Sequence, residues 1–336
     1  MSRNLFEYHS VIGYRFIPGL TARVRHEGGG YLVRCNQTGF RCDQEVTETK
    51  PPGVFRVLFF GDSFTAGDGV GNGKRYTDWI EAELPGVQVL NFGLPGTGTD
   101  QQFLAFREYA RSIEYDLLVL AVTVPNIWRI LGGEQVVQTT TDGQVWMRPK
   151  PYFRLVEGAL RLENLPVPTA MRPVSAEELD RLTGKSGGGR IKRLVRKIYQ
   201  RFPELKGRVQ RLRGFRSPAE YDDPSGTAWQ LMRAILAEWI RESRAPVLLA
   251  PLPAFEHVNH HIGADGYLAR FRELGAETNV EVVDVLPTFW ALPAADRKRC
   301  RYAQDDHPTE FGHEVLARAL LPSVREYFES WKSTHA

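Results

Sequence analysis

Cysteine is scarce in this chain: Cys35, Cys42 and Cys300 are its only three among 336 residues. Their spacing suits no structural metal. A Cys35–Cys42 disulfide is conceivable, but an odd count without a secretion signal favours free thiols in a reducing compartment. Net charge is scarce too. With 43 Lys and Arg against 40 Asp and Glu, the balance of +3 is too small to imply a polyanionic partner, so nucleic acid is not expected. Long apolar runs are missing, and no stretch approaches the roughly 20 residues needed to cross a bilayer. The N-terminal MSRNLFEYHSVIGYRF lacks the basic-then-apolar pattern of a signal peptide, so a soluble, cytoplasmic protein is expected. A homo-oligomer is left open.

What remains is an ordinary globular composition, 42% apolar and 25% charged. A chain of this length buries a full core as one large domain, or as one domain with an insertion. Residues 1–50 read as a β-rich extension of short strands and turns, joined to the rest at Pro51-Pro52-Gly53. Val54–Phe60 is a buried strand with one Arg inside it, and Tyr76–Leu84 has helical spacing. Val87–Phe92 is a second strand, Asp100 to about Ile113 a helix, and Leu117–Val124 a third strand. Such alternation means βαβ units and a parallel sheet covered on both faces.

Between about 131 and 223 the rhythm breaks. Hairpins are expected around Asp142-Gly143 and Glu157-Gly158, followed by a basic segment over Arg190–Arg216. This section reads as an insertion into the domain spanning 51–336. The α/β pattern resumes with a helix over Thr227–Ser243, a strand at Val247–Pro251 and a helix over Gly266–Thr278. A strand at Glu281–Val285 and a helix over Thr309–Trp331 complete it.

Polar motifs follow the strands, where open α/β sheets place their ligands. Gly61-Asp62-Ser63 comes first. Taken alone it says little, because Asp, Ser and Gly also serve an ordinary strand-to-helix turn. Gly96 lies after the second strand, Asn126 after the third, and Asp305-Asp306-His307-Pro308 near the C-terminus. Ester hydrolysis needs a nucleophile, a base, an orienting carboxylate and donors for the oxyanion. Ser63 can supply the hydroxyl, and His307, beside a short acidic run, the base. Backbone N–H groups of Ser63 and Gly96, with the Asn126 side-chain amide, can form the oxyanion hole.

With these blocks in view, the sequence resembles the SGNH (GDSL-type) hydrolases. FFGDSFTAG carries the serine block, NFGLPGTGTDQQ the glycine block, VPN the asparagine block and DDHPTEFGH the histidine block, in the family's order. The stretches NQTGFR and PKPYFRL…GALRLENLPVP are similar to a bacterial branch of unassigned substrate. The resemblance implies a flavodoxin-like three-layer α/β/α sandwich, acyl-ester hydrolysis or acyl transfer, and neither metal nor cofactor. It assigns Ser63 as nucleophile, His307 as base, and Gly96 and Asn126 as oxyanion donors. The asparagine block departs from the family, with Val-Pro before Asn126 and Ile127 after it. The commonest acid position holds Gln304 here. A second pattern selects Asp305, with Asp306 open, because neighbouring side chains on an extended loop point opposite ways.

Blander roles compete for several residues. His307 could be a helix-entry residue, since Pro308-Thr309 suits a helix start. Asn126 could be a turn residue, Asp62 a brace for its turn, and His313 a surface or packing residue. His257, His260 and His261 lack the spacing of a metal site and read as a loop near the substrate mouth. The basic segment reads as a solvated face, an anionic-substrate rim or a partner surface. The function expected is a serine esterase removing a short acyl group, such as acetyl, from a sugar or small metabolite. The alternatives are an O-acyltransferase using the same site and a non-catalytic carbohydrate- or lipid-binding module.

Overall fold

In the computed structural model, the structure describes residues 4–138, 145–175, 178 and 218–335. The chain opens with two antiparallel hairpins, β1 (Phe6–His9) with β2 (Gly13–Phe16) and β3 (Thr21–Val24) with β4 (Tyr31–Arg34). The main sheet begins with β5 (Phe55–Phe60), β6 (Val87–Asn91) and β7 (Leu117–Thr123). The insertion contributes β8 (Glu134–Gln138), β9 (Val145–Pro149), β10 (Tyr152–Val156), β11 (Ala159–Glu163) and β12 (Arg172–Pro173). The main sheet ends with β13 (Val247–Leu252) and β14 (Glu281–Val282). Its order is β6-β5-β7-β13-β14 with every neighbour parallel. This is the flavodoxin-like order 2-1-3-4-5.

Every residue of β5, β7 and β13 is buried, as apolar strands covered on two faces must be. The period of two along β5 sorts its side chains. Phe59 lies against Tyr76 of helix α1 (Tyr76–Glu83), ring centroids 5.7 Å apart, and Phe55 against Phe328 of the C-terminal helix at 5.5 Å. Phe60 faces the other way, 5.3 Å from Trp239 of α2 (Thr227–Glu242). Arg56, the charge inside this strand, is fully buried but satisfied: its guanidinium donates to Gln88 Oε1 at 2.7 Å and to the Thr47 carbonyl at 2.8 Å. Cys35, Cys42 and Cys300 are buried free thiols.

Some boundaries differ from expectation. The helix after β6 is α-helical over Thr99–Ala105 and continues as a π-helical turn over Phe106–Ala110. The last strand holds only Glu281–Val282; Asp284 then turns the chain by accepting from the Leu286 amide at 3.0 Å. The C-terminal helix runs Glu310–His335. In the insertion, β10 and β11 pair across Glu157 and Gly158, with φ of +52° and +80°, as a tight two-residue hairpin turn requires. Strands β8 and β9 also pair, while their turn at Asp142-Gly143 lies outside the described residues, as does the basic segment Arg190–Arg216.

The N-terminal hairpins join the same apolar core. Phe40 packs edge-on against Phe92, centroids 4.7 Å apart, and Ile12, Tyr14 and Phe16 are buried with it. Among the described residues, no helix is long and apolar enough to cross a membrane.

Two core histidines make stability pH-dependent. Burial pushes His313 down to about 3 and His257 down to about 4, from 6.5. Both are therefore neutral in the folded protein at mild acidity, whereas the unfolded chain protonates them below pH 6.5. Their contribution is complete above that pH and is lost as pH falls toward their folded values, by roughly 1.4 kcal/mol per unit for each group. The urea midpoint is expected to drop between pH 7 and pH 5, and His257→Phe to flatten that slope.

Candidate active site

Ser63 opens a four-residue helical turn, Ser63–Ala66, directly after β5, and is 6% exposed. Asp62 caps this turn by accepting from the Phe64 amide at 3.0 Å. Its carboxylate also accepts from Thr123 Oγ1 at 2.9 Å, Asn126 Nδ2 at 3.2 Å and Arg129 at 3.2 Å. Asp62 thus ties the ends of β5 and β7 together. Asn126 lies in the 3₁₀ turn Val124–Trp128 and spends one amide hydrogen on Asp62; the second has no partner among the described residues.

The glycine block lies across the same strand ends. A Cβ on Gly93 would come within 2.2 Å of the Ala66 amide nitrogen, so only glycine lets this loop rest on the Ser63 turn. Gly96 has φ +79° and lies beside Tyr14, whose hydroxyl donates to the Pro95 carbonyl at 2.5 Å. Arg129 donates to both Asp62 and the Thr97 carbonyl, the latter at 3.1 Å, and so bridges the serine and glycine blocks. Behind the loop, buried Asp100 pairs with buried Lys150, which tethers the insertion to this helix start.

His307 lies on the loop before the last helix. Its Nδ1 is 2.5 Å from Asp305 Oδ1. The adjacent Asp306 points outward, 80% exposed and paired with Arg301. Burial pushes the Asp305 carboxyl up, but the His307 imidazole and hydrogen bonds from His307 and His26 bring it below its ordinary value. The His307 ring meets the Phe64 ring edge-on at 5.7 Å, one residue from Ser63. Among the described residues the Ser63 hydroxyl has no hydrogen-bond partner, His307 included. Catalytic hydrogen bonds are often long before substrate binds. Tyr302 donates from its hydroxyl to the Gly69 carbonyl at 2.8 Å, linking the His307 loop to the loop after Ser63.

Residues 59–315 match the GDSL-like lipase/acylhydrolase family. The chain belongs to this family. As a GDSL acylhydrolase it is a carboxylic ester hydrolase with an ester as its small-molecule substrate. No curated protein matches it. Among solved structures, it is similar to a lipolytic G-D-S-L protein from Veillonella parvula at 13% identity, over 80% of this chain and 97% of that one, TM-score 0.43. A lipase/acylhydrolase from Enterococcus faecalis is 15% identical over 81% and 96% of the two chains, TM-score 0.44. A catalytic mutant of an acetylxylan esterase from Geobacillus stearothermophilus is 16% identical over 80% and 93%, TM-score 0.42.

Several residues around this GDSL site escaped sequence reasoning. His26 stands alone in VRHEGGG without a motif to mark it. Arg41, inside NQTGFR, is fully buried and donates to the Ala66 carbonyl at 2.9 Å and to those of Gly67 and Val70, holding the end of the Ser63 turn. Similarity of that stretch to a bacterial branch was the one available signal. Two further histidines belong to the core: His313 is fully buried against Tyr76, and His257 is 1% exposed in the turn Phe255–Val258.

Proposed function

We propose that this GDSL hydrolase removes a short acyl group from a sugar or small metabolite through an acyl-serine intermediate. Ser63 Oγ attacks the ester carbonyl, and His307 Nε2 takes its proton and then passes it to the departing alcohol. Asp305 holds the imidazole with Nδ1 protonated, leaving Nε2 free to accept. Water repeats the sequence on the acyl-serine, returning Ser63 and releasing the acid. The Ser63 and Gly96 amides and the second Asn126 amide hydrogen face the developing oxyanion.

The hydrogen bond between Asp305 and His307, on a loop packed against the residue after Ser63, carries this reading. Purified protein is expected to turn over p-nitrophenyl acetate and to be labelled at Ser63 by a fluorophosphonate. Absence of both would overturn the proposal. Asp306→Ala is expected to keep kcat within about twofold, because an exposed residue paired with Arg301 gives the imidazole no support. A loss comparable to that of the Asp305 variant would move the acid role to Asp306.

A further inference from the structure

We propose that His26, carried by the N-terminal β3–β4 hairpin, is a positioning residue for the catalytic acid, making the relay His26–Asp305–His307. The inference rests on the triad reading above. His26 Nε2 lies 3.0 Å from Asp305 Oδ2, while His307 takes the other oxygen, Oδ1. The Gly28 amide donates to His26 Nδ1 at 3.2 Å. An acceptor at Nδ1 places the ring proton on Nε2, so His26 donates to Asp305. The carboxylate is then held at both oxygens, in the plane that directs Oδ1 at His307.

The surroundings hold His26 in place. Its ring meets Tyr302 edge-on at 4.3 Å and Tyr31 at 5.9 Å. A Cβ on Gly69 would lie 3.4 Å from the ring, so the loop after Ser63 closes over it. Next in the chain, Glu27 accepts from the Gln304 and Asp305 amides at 2.9 and 2.8 Å. This two-point clamp ties the hairpin to the acid's backbone as well as its side chain. The hairpin therefore completes the site, although it lies outside the residues that match the family. A half-exposed aspartate with one partner could rotate away; with two it cannot without breaking a hydrogen bond to a charged group.

The test compares three variants with the unaltered protein on p-nitrophenyl acetate. His26→Phe keeps the ring but removes the donor, and kcat is expected to fall roughly ten- to a hundredfold, the worth of one hydrogen bond to a charged group. KM should stay within about twofold, because no substrate contact is lost. His26→Gln returns an N–H near the Nε2 position and should recover most of kcat, whereas the shorter His26→Asn should not. The Gln and Asn pair decides the matter even if the Phe variant fails to fold. Unchanged kcat in His26→Phe, or Gln no better than Asn, would overturn the proposal. Ser63→Ala and His307→Ala run alongside: their inactivity with active His26 variants sinks only the positioning role. Their retained activity removes the triad itself and this inference with it.

Discussion

Ser63→Ala is expected to lower kcat on the order of 10⁴-fold or more and to abolish fluorophosphonate labelling, without altering the fold. The magnitude follows from the chemistry: without the hydroxyl no acyl-enzyme forms, and only oxyanion binding and proximity remain. The structural side is equally definite. Ser63 is nearly buried and its hydroxyl holds no other group among the described residues, so its removal leaves little unpaired. The turn is held by Asp62 and Arg41, which the substitution does not touch. Unfolding midpoints should therefore agree closely between the two proteins, within about 0.5 kcal/mol. Retention of more than a tenth of the activity would show that another group attacks the ester.

Asp305→Asn should cost kcat on the order of 10³- to 10⁴-fold, the range for loss of the acid in Ser-His-Asp sites. Two donors converge on the Asp305 carboxylate, His307 Nδ1–H and His26 Nε2–H. A carboxamide has one oxygen and one N–H₂ group, so it can accept from only one of them. Facing His307 with its nitrogen, it selects the wrong tautomer and leaves Nε2 protonated and unable to accept from Ser63. Facing His26 with its nitrogen, it sets two N–H groups against each other, because the Gly28 amide already occupies His26 Nδ1. Replacing His26 as well relieves only that second conflict. The double variant His26→Phe with Asp305→Asn should therefore be less impaired than the product of the single losses. Measured non-additivity in kcat reads this coupling directly. Full additivity would mean that the two residues act independently.

The sequence alone carried the alternation that builds the sheet, because buried parallel strands need unbroken apolar runs such as Leu117–Val122. It also carried the blocks that place Ser63, Gly96 and Asn126 at strand ends, since glycine and small polar residues follow those runs, and His307 just before the last helix. It left the choice between Asp305 and Asp306 open. Adjacent residues on a loop take opposite directions, and only the packing of that loop on Gly69 and Glu27 decides which faces the ring. The direction of the Asn126 amide, shared with Asp62, likewise depends on how the ends of β5 and β7 meet. His26 was invisible for the same reason in stronger form. It meets Asp305 across 279 positions of chain, and local periodicity reports only which side of its own element a residue occupies. Which elements then touch is a property of the closed fold, and it is there that an isolated histidine in a glycine-rich hairpin came to face Asp305.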